Sequence, residues 1–154
     1  MASLIEDLLY TLGEQKTCLE ELLILSKAKR DLIVNNDIEN LQSMTAAESA
    51  IVAKNQKLDK TREDITADIA TVLAEDAKEL TITKIAELIN DDKDKESLTK
   101  ARDELDGILK DLKRQNDQNH ELINVSLDFI EFSMNVIREN DMLEGAKNIL
   151  DTEG

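Results

Sequence analysis

The chain predicts an all-α fold: an elongated antiparallel bundle of three long helices plus one short helix, with coiled-coil-like packing. Three observations carry this. Proline is absent from the 154 residues and glycine occurs four times, whereas turn-rich β folds rely on both to reverse direction. Aromatic residues make up 2%, too few for the packing that sheet surfaces favour. Apolar residues also recur at alternating three- and four-residue steps through three long segments, the period of helices that pack at shallow crossing angles. Forty residues of helix extend about 60 Å, so the molecule is expected to be a rod. The length suits one domain, with a helical bundle over 1–140 and a mobile amphipathic tail over 141–154.

The first helix is placed at about Ser3 to Val34. Ser3 followed by Glu6 has the spacing of a capping box, in which each side chain satisfies an unpaired amide donor at the helix start. Its inner face reads Leu4, Ile5, Leu8, Leu12, Gln15, Leu19, Leu22, Leu25 or Ser26, Lys29 and Ile33. In "VNND" either Asn35 or Asn36 can take the left-handed conformation that ends a helix, and Asp37 can cap the next.

The second helix is placed at Ile38 to Leu73, with a heptad seam of two interleaved sets. Met44, Ile51, Leu58, Ile65 and Val72 are apolar throughout, while the other set carries Glu48, Asn55 and Arg62. A short helix follows at Thr81 to Asn90. In the polar "NDDKDKES", Asp92 or Asp94 can cap the last and longest helix, from about Lys95 towards Asn140 or beyond. Its seam reads Leu98, Arg102, Leu105, Leu109, Leu112, Asn116, Asn119, Ile123, Ser126, Ile130, Ser133 and Ile137, with two asparagines where a buried stripe wants leucine.

Folding the second helix back on the first, and the last back on the second, brings Gln15 near Asn55 and Asn55 near Asn116. These three amides are expected to form one polar layer, flanked by Glu48 and Arg62. Amides donate and accept, so they can satisfy one another without charge. Slipping the register would bury an unpaired amide, so such a layer penalises misalignment. The alternative is that these seams are partly wet.

Most chemistries are excluded. A formal net charge of −15 disfavours nucleic acid and anionic membrane, which need clustered Lys and Arg. No apolar run approaches the ~20 residues of a membrane span. "MASLIEDLLYTLGEQ" lacks a basic n-region and carries Glu6 and Asp7, unlike a signal peptide. The lone Cys18 reads as a small core thiol in a reducing cytoplasm. His120 is the one histidine, so neither a histidine metal pair nor a catalytic triad can be built. "NDDKDKE" lacks the central glycine and spaced ligands of a calcium loop. No glycine-rich phosphate loop occurs, and Tyr10, Phe129 and Phe132 are scattered rather than arranged as a stacking platform. No catalytic residue, metal ligand or cofactor site is assigned, and the chain is not expected to be an enzyme.

What remains is a helical protein that binds other proteins. Four stretches resemble the FlgN family of flagellar export chaperones: "LEELLILSKAKRDLIVNNDIENLQSMTAAE" (Leu19 to Glu48), "KLDKTREDI" around Arg62, "LTITKIAELI" (Leu80 to Ile89) and "LKRQNDQNHELINVSLDFIEF" (Leu112 to Phe132). Within them lie L-x-x-x-N-D-I-x-x-L before the second helix and N-x-x-N-x-x-L-I-x-x-S-L-x-F-I in the last. Each is a loose helical pattern; their combination and order over most of the chain carry the resemblance. It implies a cytoplasmic chaperone of flagellar type III export. Such a protein would bind hook-associated proteins, keep them unassembled and deliver them to components of the export apparatus. It also implies substrate contact through the C-terminal part. A structural or adaptor coiled coil without an export role is the other reading, and either could be a monomer or a homodimer.

The client-binding residues are expected in the C-terminal quarter. Met142, Leu143, Ala146, Ile149 and Leu150 fall on one face of a short helix. Phe129, Ile130, Met134 and Ile137 precede them on the long helix. Gly145 and the polar "END" weaken the helix here, which suggests mobility in the free protein. The alternative is that this piece folds back as a minor part of the core.

Overall fold

The computed structural model describes the backbone of residues 1–148 and the side chains of residues 1–128 other than Ser126. It is all-helical, with α1 at Ala2–Val34, α2 at Ile38–Leu73, α3 at Ile82–Leu88 and α4 at Asp92–Asn148. A 3-10 turn at Ala77–Glu79 joins α2 to α3.

Local chemistry sets the boundaries. Asn36 takes the left-handed conformation with φ 53°, and the Asp37 side chain accepts from the Asn40 amide at 3.3 Å. Together they close α1 and open α2 within three residues. Ala74 ends α2 with φ 56°, a strained conformation for a residue with a Cβ. Two expected caps are replaced. Helix α1 begins at Ala2 with Met1 at the N-cap and no side-chain cap bond, so Ser3 lies inside the first turn and Ser3–Glu6 is not a capping box. Asp91, rather than Asp92 or Asp94, caps α4, accepting from the amides of Lys93 at 2.9 Å and Asp94 at 3.2 Å. Asp92 and Asp94 sit in the first turn, where the helix dipole favours negative charge.

The central element is α1, with α2 packed along one side and α4 along another. The α1–α2 pair is antiparallel: Gln15 meets Asn55 and Asp59, while Lys29 meets Glu48. The α1–α4 pair is parallel: Lys16 meets Glu104, and Ser26 meets Asn116 and Asn119. This corrects one expectation. Helix α4 does run antiparallel to α2, but it leans on α1 and not on α2. The segment between Leu73 and Asp92 returns the chain to the N-terminal end of α1, and α4 then climbs beside α1.

The hydrophobic core is densest at that end, where four elements converge. Ile5, Leu8 and Leu12 of α1 pack with Ile69 and Ala70 of α2, Ile85 and Ala86 of α3, and Leu98 of α4. Each large aliphatic side chain buried there is worth about 1.5–3 kcal/mol. On α1 the buried face is the seam expected of it, and Ser26, not Leu25, faces inward. Along α2 the apolar set Met44, Ile51, Leu58 and Ile65 is only half-buried, and Val72 is exposed. Cys18 is a buried free thiol, and desolvation raises its pKa.

Candidate protein-binding site

Three features of the rod can meet another protein: the amides of its seams, the cleft between α2 and α4, and the distal part of α4.

The amides divide into two clusters. At the first, the Gln15 amide nitrogen donates to Asp59 Oδ1 at 2.6 Å and to Asn55 Oδ1 at 3.3 Å. Arg62 joins through Asp59 at 3.2 Å, while Glu48 is held elsewhere by Lys29 at 2.8 Å. Gln15 Oε1 is buried without a hydrogen-bond donor. Asn116 is not in this cluster, which corrects the single layer of Gln15, Asn55 and Asn116. It accepts from Ser26 Oγ at 2.6 Å, about three turns further along α1. The physical reason is the packing of α4 on α1: the contact of α4 sets its register against Ser26, not against Asn55.

The second cluster explains the paired asparagines. Asn119 is buried, and its Nδ2 donates to the Ser26 carbonyl at 2.7 Å and to Ser26 Oγ at 3.2 Å. Ser26 Oγ in turn donates a hydrogen bond to Asn116 Oδ1, and Gln115 Nε2 donates to Asn119 Oδ1 at 3.1 Å. Two amides one turn apart therefore clamp a serine with no measurable exposure. Asn119 and Ser26 are the residues that sequence reasoning left out of the polar layer. Their signals were present: Asn119 as the second asparagine of the α4 seam, Ser26 as the alternative to Leu25.

Because α2 and α4 both lean on α1, a cleft remains between them. Its floor is Leu19 and Leu22, and its walls carry Val52, Leu109, Leu112 and Ile123. The wider part, towards Ile123, opens to about 600 Å³. Charges along the cleft balance, with Lys29, Arg62 and Arg102 against Glu48, Asp59 and Asp106. His120 stands at its edge.

The parallel register sets Val34, at the end of α1, level with about residue 125 of α4. The helical backbone of α4 continues past that level to Asn148. Val125 and Leu127, just there, are exposed. The backbone of Phe129, Ile130, Met134, Ile137, Met142, Leu143 and Ala146 lies within α4, while their side-chain placement is outside the described residues. Ile149 and Leu150 lie outside them altogether. The helix passes Gly145 without a break.

Among the described residues no group of His, Cys, Asp or Glu is placed to hold a metal ion. No described helix is long and apolar enough to cross a membrane. Neither the curated proteins nor the solved structures contain a match. The FlgN protein family matches residues 1–145, a span that takes in α1, α2, α3 and nearly all of α4. With that coverage, the chain belongs to the FlgN family, a family of flagellar export chaperones.

Proposed function

We propose that this protein binds hook-associated flagellar proteins in the cytoplasm through the C-terminal part of α4, prevents their premature assembly and delivers them to the export apparatus. The observation that carries the reading is family membership over residues 1–145. The shape of the rod is consistent with it. Helix α4 continues as a helix beyond the level where α1 ends, and an amphipathic client helix is read by anchors at i, i+3, i+4 and i+7. Phe129, Ile130, Met134 and Ile137, followed by Met142, Leu143, Ala146, Ile149 and Leu150, supply that spacing. Methionine suits such a surface because its flexible thioether adapts to different partners.

Magnitudes limit what the last segment can do alone. Four large apolar anchors give a gross gain of roughly 6–12 kcal/mol. Ordering a dozen residues at about 1–2 kcal/mol each would consume it. Tight binding therefore also needs a preformed surface.

The test is calorimetric titration of the full chain with purified hook-associated proteins from the same genome. Leu143→Asp combined with Ile149→Asp is expected to abolish binding while helicity and melting temperature stay nearly native. Native affinity in that variant would remove the segment from the site. A large fall in melting temperature would assign it to the core instead.

A further inference from the structure

We infer that the cleft between α2 and α4 is a second, preformed half of the client site, and that it seats an amphipathic helix of the exported protein. This rests on the export-chaperone reading above and adds where the rest of the client lies.

The observation is an unfilled seam. In the sequence α4 has two interleaved half-seams. Leu98, Leu105, Leu112 and Asn119 are buried or half-buried, whereas Leu109 is exposed and Ile123 half-buried where they border the cleft. Leu109 and Ile123 stand two heptads apart on this side of α4, the spacing of a helix-packing face. Val52 and Leu109, on opposite walls, are 42% and 49% exposed. The cleft runs from Arg62 to Thr45 along α2, about 26 Å at helical rise, the length of roughly 17 helical residues. A helix laid there would meet apolar side chains on three sides and complete a four-helix packing.

The occupant follows from chain length, charge and continuity. Residues 149–154 do not reach. Helix α4 leaves the cleft at Ile123 and stays helical to Asn148, about 37 Å farther on. Six residues such as 149–154 extend at most about 20 Å, short of that distance. A second copy is disfavoured by a net charge of −15 on each chain, which repels like copies. The balanced lining charges select against a polyanion and for a neutral apolar stripe. Finally, the cleft ends at Ile123, two residues before exposed Val125 and six before Phe129, where the proposed client face begins. One client helix or helical pair can therefore run from the cleft onto distal α4.

The experiment uses the full chain and purified hook-associated proteins as probes. Val52→Glu with Leu109→Glu changes only half-exposed wall positions, so circular dichroism and melting temperature should stay native. Affinity should fall at least tenfold, while Tyr10→Glu, exposed but off the cleft, should bind like the original. Independently, Ser49→Cys on the cleft wall should react with iodoacetamide at least tenfold more slowly once client is bound; this arm decides the matter should the glutamate pair disturb folding. Native affinity in the glutamate pair, or an unchanged cysteine rate in the complex, overturns the cleft and leaves the C-terminal site standing. Failure of every hook-associated protein to bind the original chain overturns both readings. Sedimentation showing a dimer of the original that the glutamate pair dissolves would hand the cleft to a second copy and overturn the proposal.

Discussion

At the scale of single residues, the two asparagines of α4 look alike in sequence and carry different weights. Asn119 is buried and satisfies both the carbonyl and the hydroxyl of Ser26. Asn119→Ala removes both of these buried hydrogen bonds, at about 0.5–1.5 kcal/mol each. Asn116 is exposed and water can replace its one bond to Ser26, so Asn116→Ala is expected to cost less than about 1 kcal/mol. Urea denaturation of the two variants checks the order; equal losses would contradict it. The Lys16–Glu104 pair links α1 to α4 at 2.8 Å. The hydrogen bond from Lys16 holds the Glu104 carboxyl below its ordinary range, and the same bond raises the Lys16 pKa. A lowered carboxyl pKa stabilises the fold above the unfolded value of about 4.3, and that contribution disappears as pH falls through the lower folded value. A raised lysine pKa contributes fully below about 10.4 and is lost as pH climbs through the higher folded value. Carbon-detected NMR titration should find the Glu104 carboxyl below a model peptide's pKa, and Lys16→Met should restore it.

At the scale of elements, helix existence was legible and helix partnership was not. The α1 stripe from Leu4 to Ile33 is buried almost throughout because α1 has neighbours on two sides. The asparagine pair and Asp37 marked the first turn because left-handed backbone and an amide-accepting carboxylate are local properties. Periodicity says which residues share a face but not which helix covers it. The α4 seam was therefore folded onto α2, with Asn116 near Asn55, although Asn116 bonds Ser26 of α1 and Leu109 and Ile123 border an open cleft. Of the candidate site, the distal α4 spacing could be read directly, while the cleft could not, since it is created by where α4 leans. The same limit misplaced Val72, read as seam but exposed in the last turn of α2. Ile69 fills the convergence of α1, α2 and α3 with no measurable exposure. Ile69→Ala should cost about 2–5 kcal/mol, and Val72→Ala should stay within about 0.5 kcal/mol. Comparable losses in thermal or urea unfolding would show that the core is not concentrated at that end.

At the scale of the whole molecule, the densest part of the core and the proposed distal client face lie at different ends. The core cluster of the described residues draws on α1, the end of α2, α3 and the first part of α4. The seam that resembles a client surface begins where α1 and the α1–α2 turn stop. A rod built this way can hold a partner at one end without unfolding at the other, which suits a carrier that must release its cargo. It also makes a separation experiment possible. A chain ending at Asp128 keeps every member of that cluster and both amide clusters. It is expected to remain helical, to unfold cooperatively, and to melt within a few degrees of the full chain, roughly the effect of less than 1 kcal/mol in a domain this size. It should lose high-affinity binding of hook-associated proteins yet retain weak binding through the cleft, because that surface is preformed. Calorimetry on the shortened chain distinguishes the cases. Undiminished affinity would place the whole client site in the bundle, and a collapsed melting temperature would show that the distal part of α4 belongs to the core.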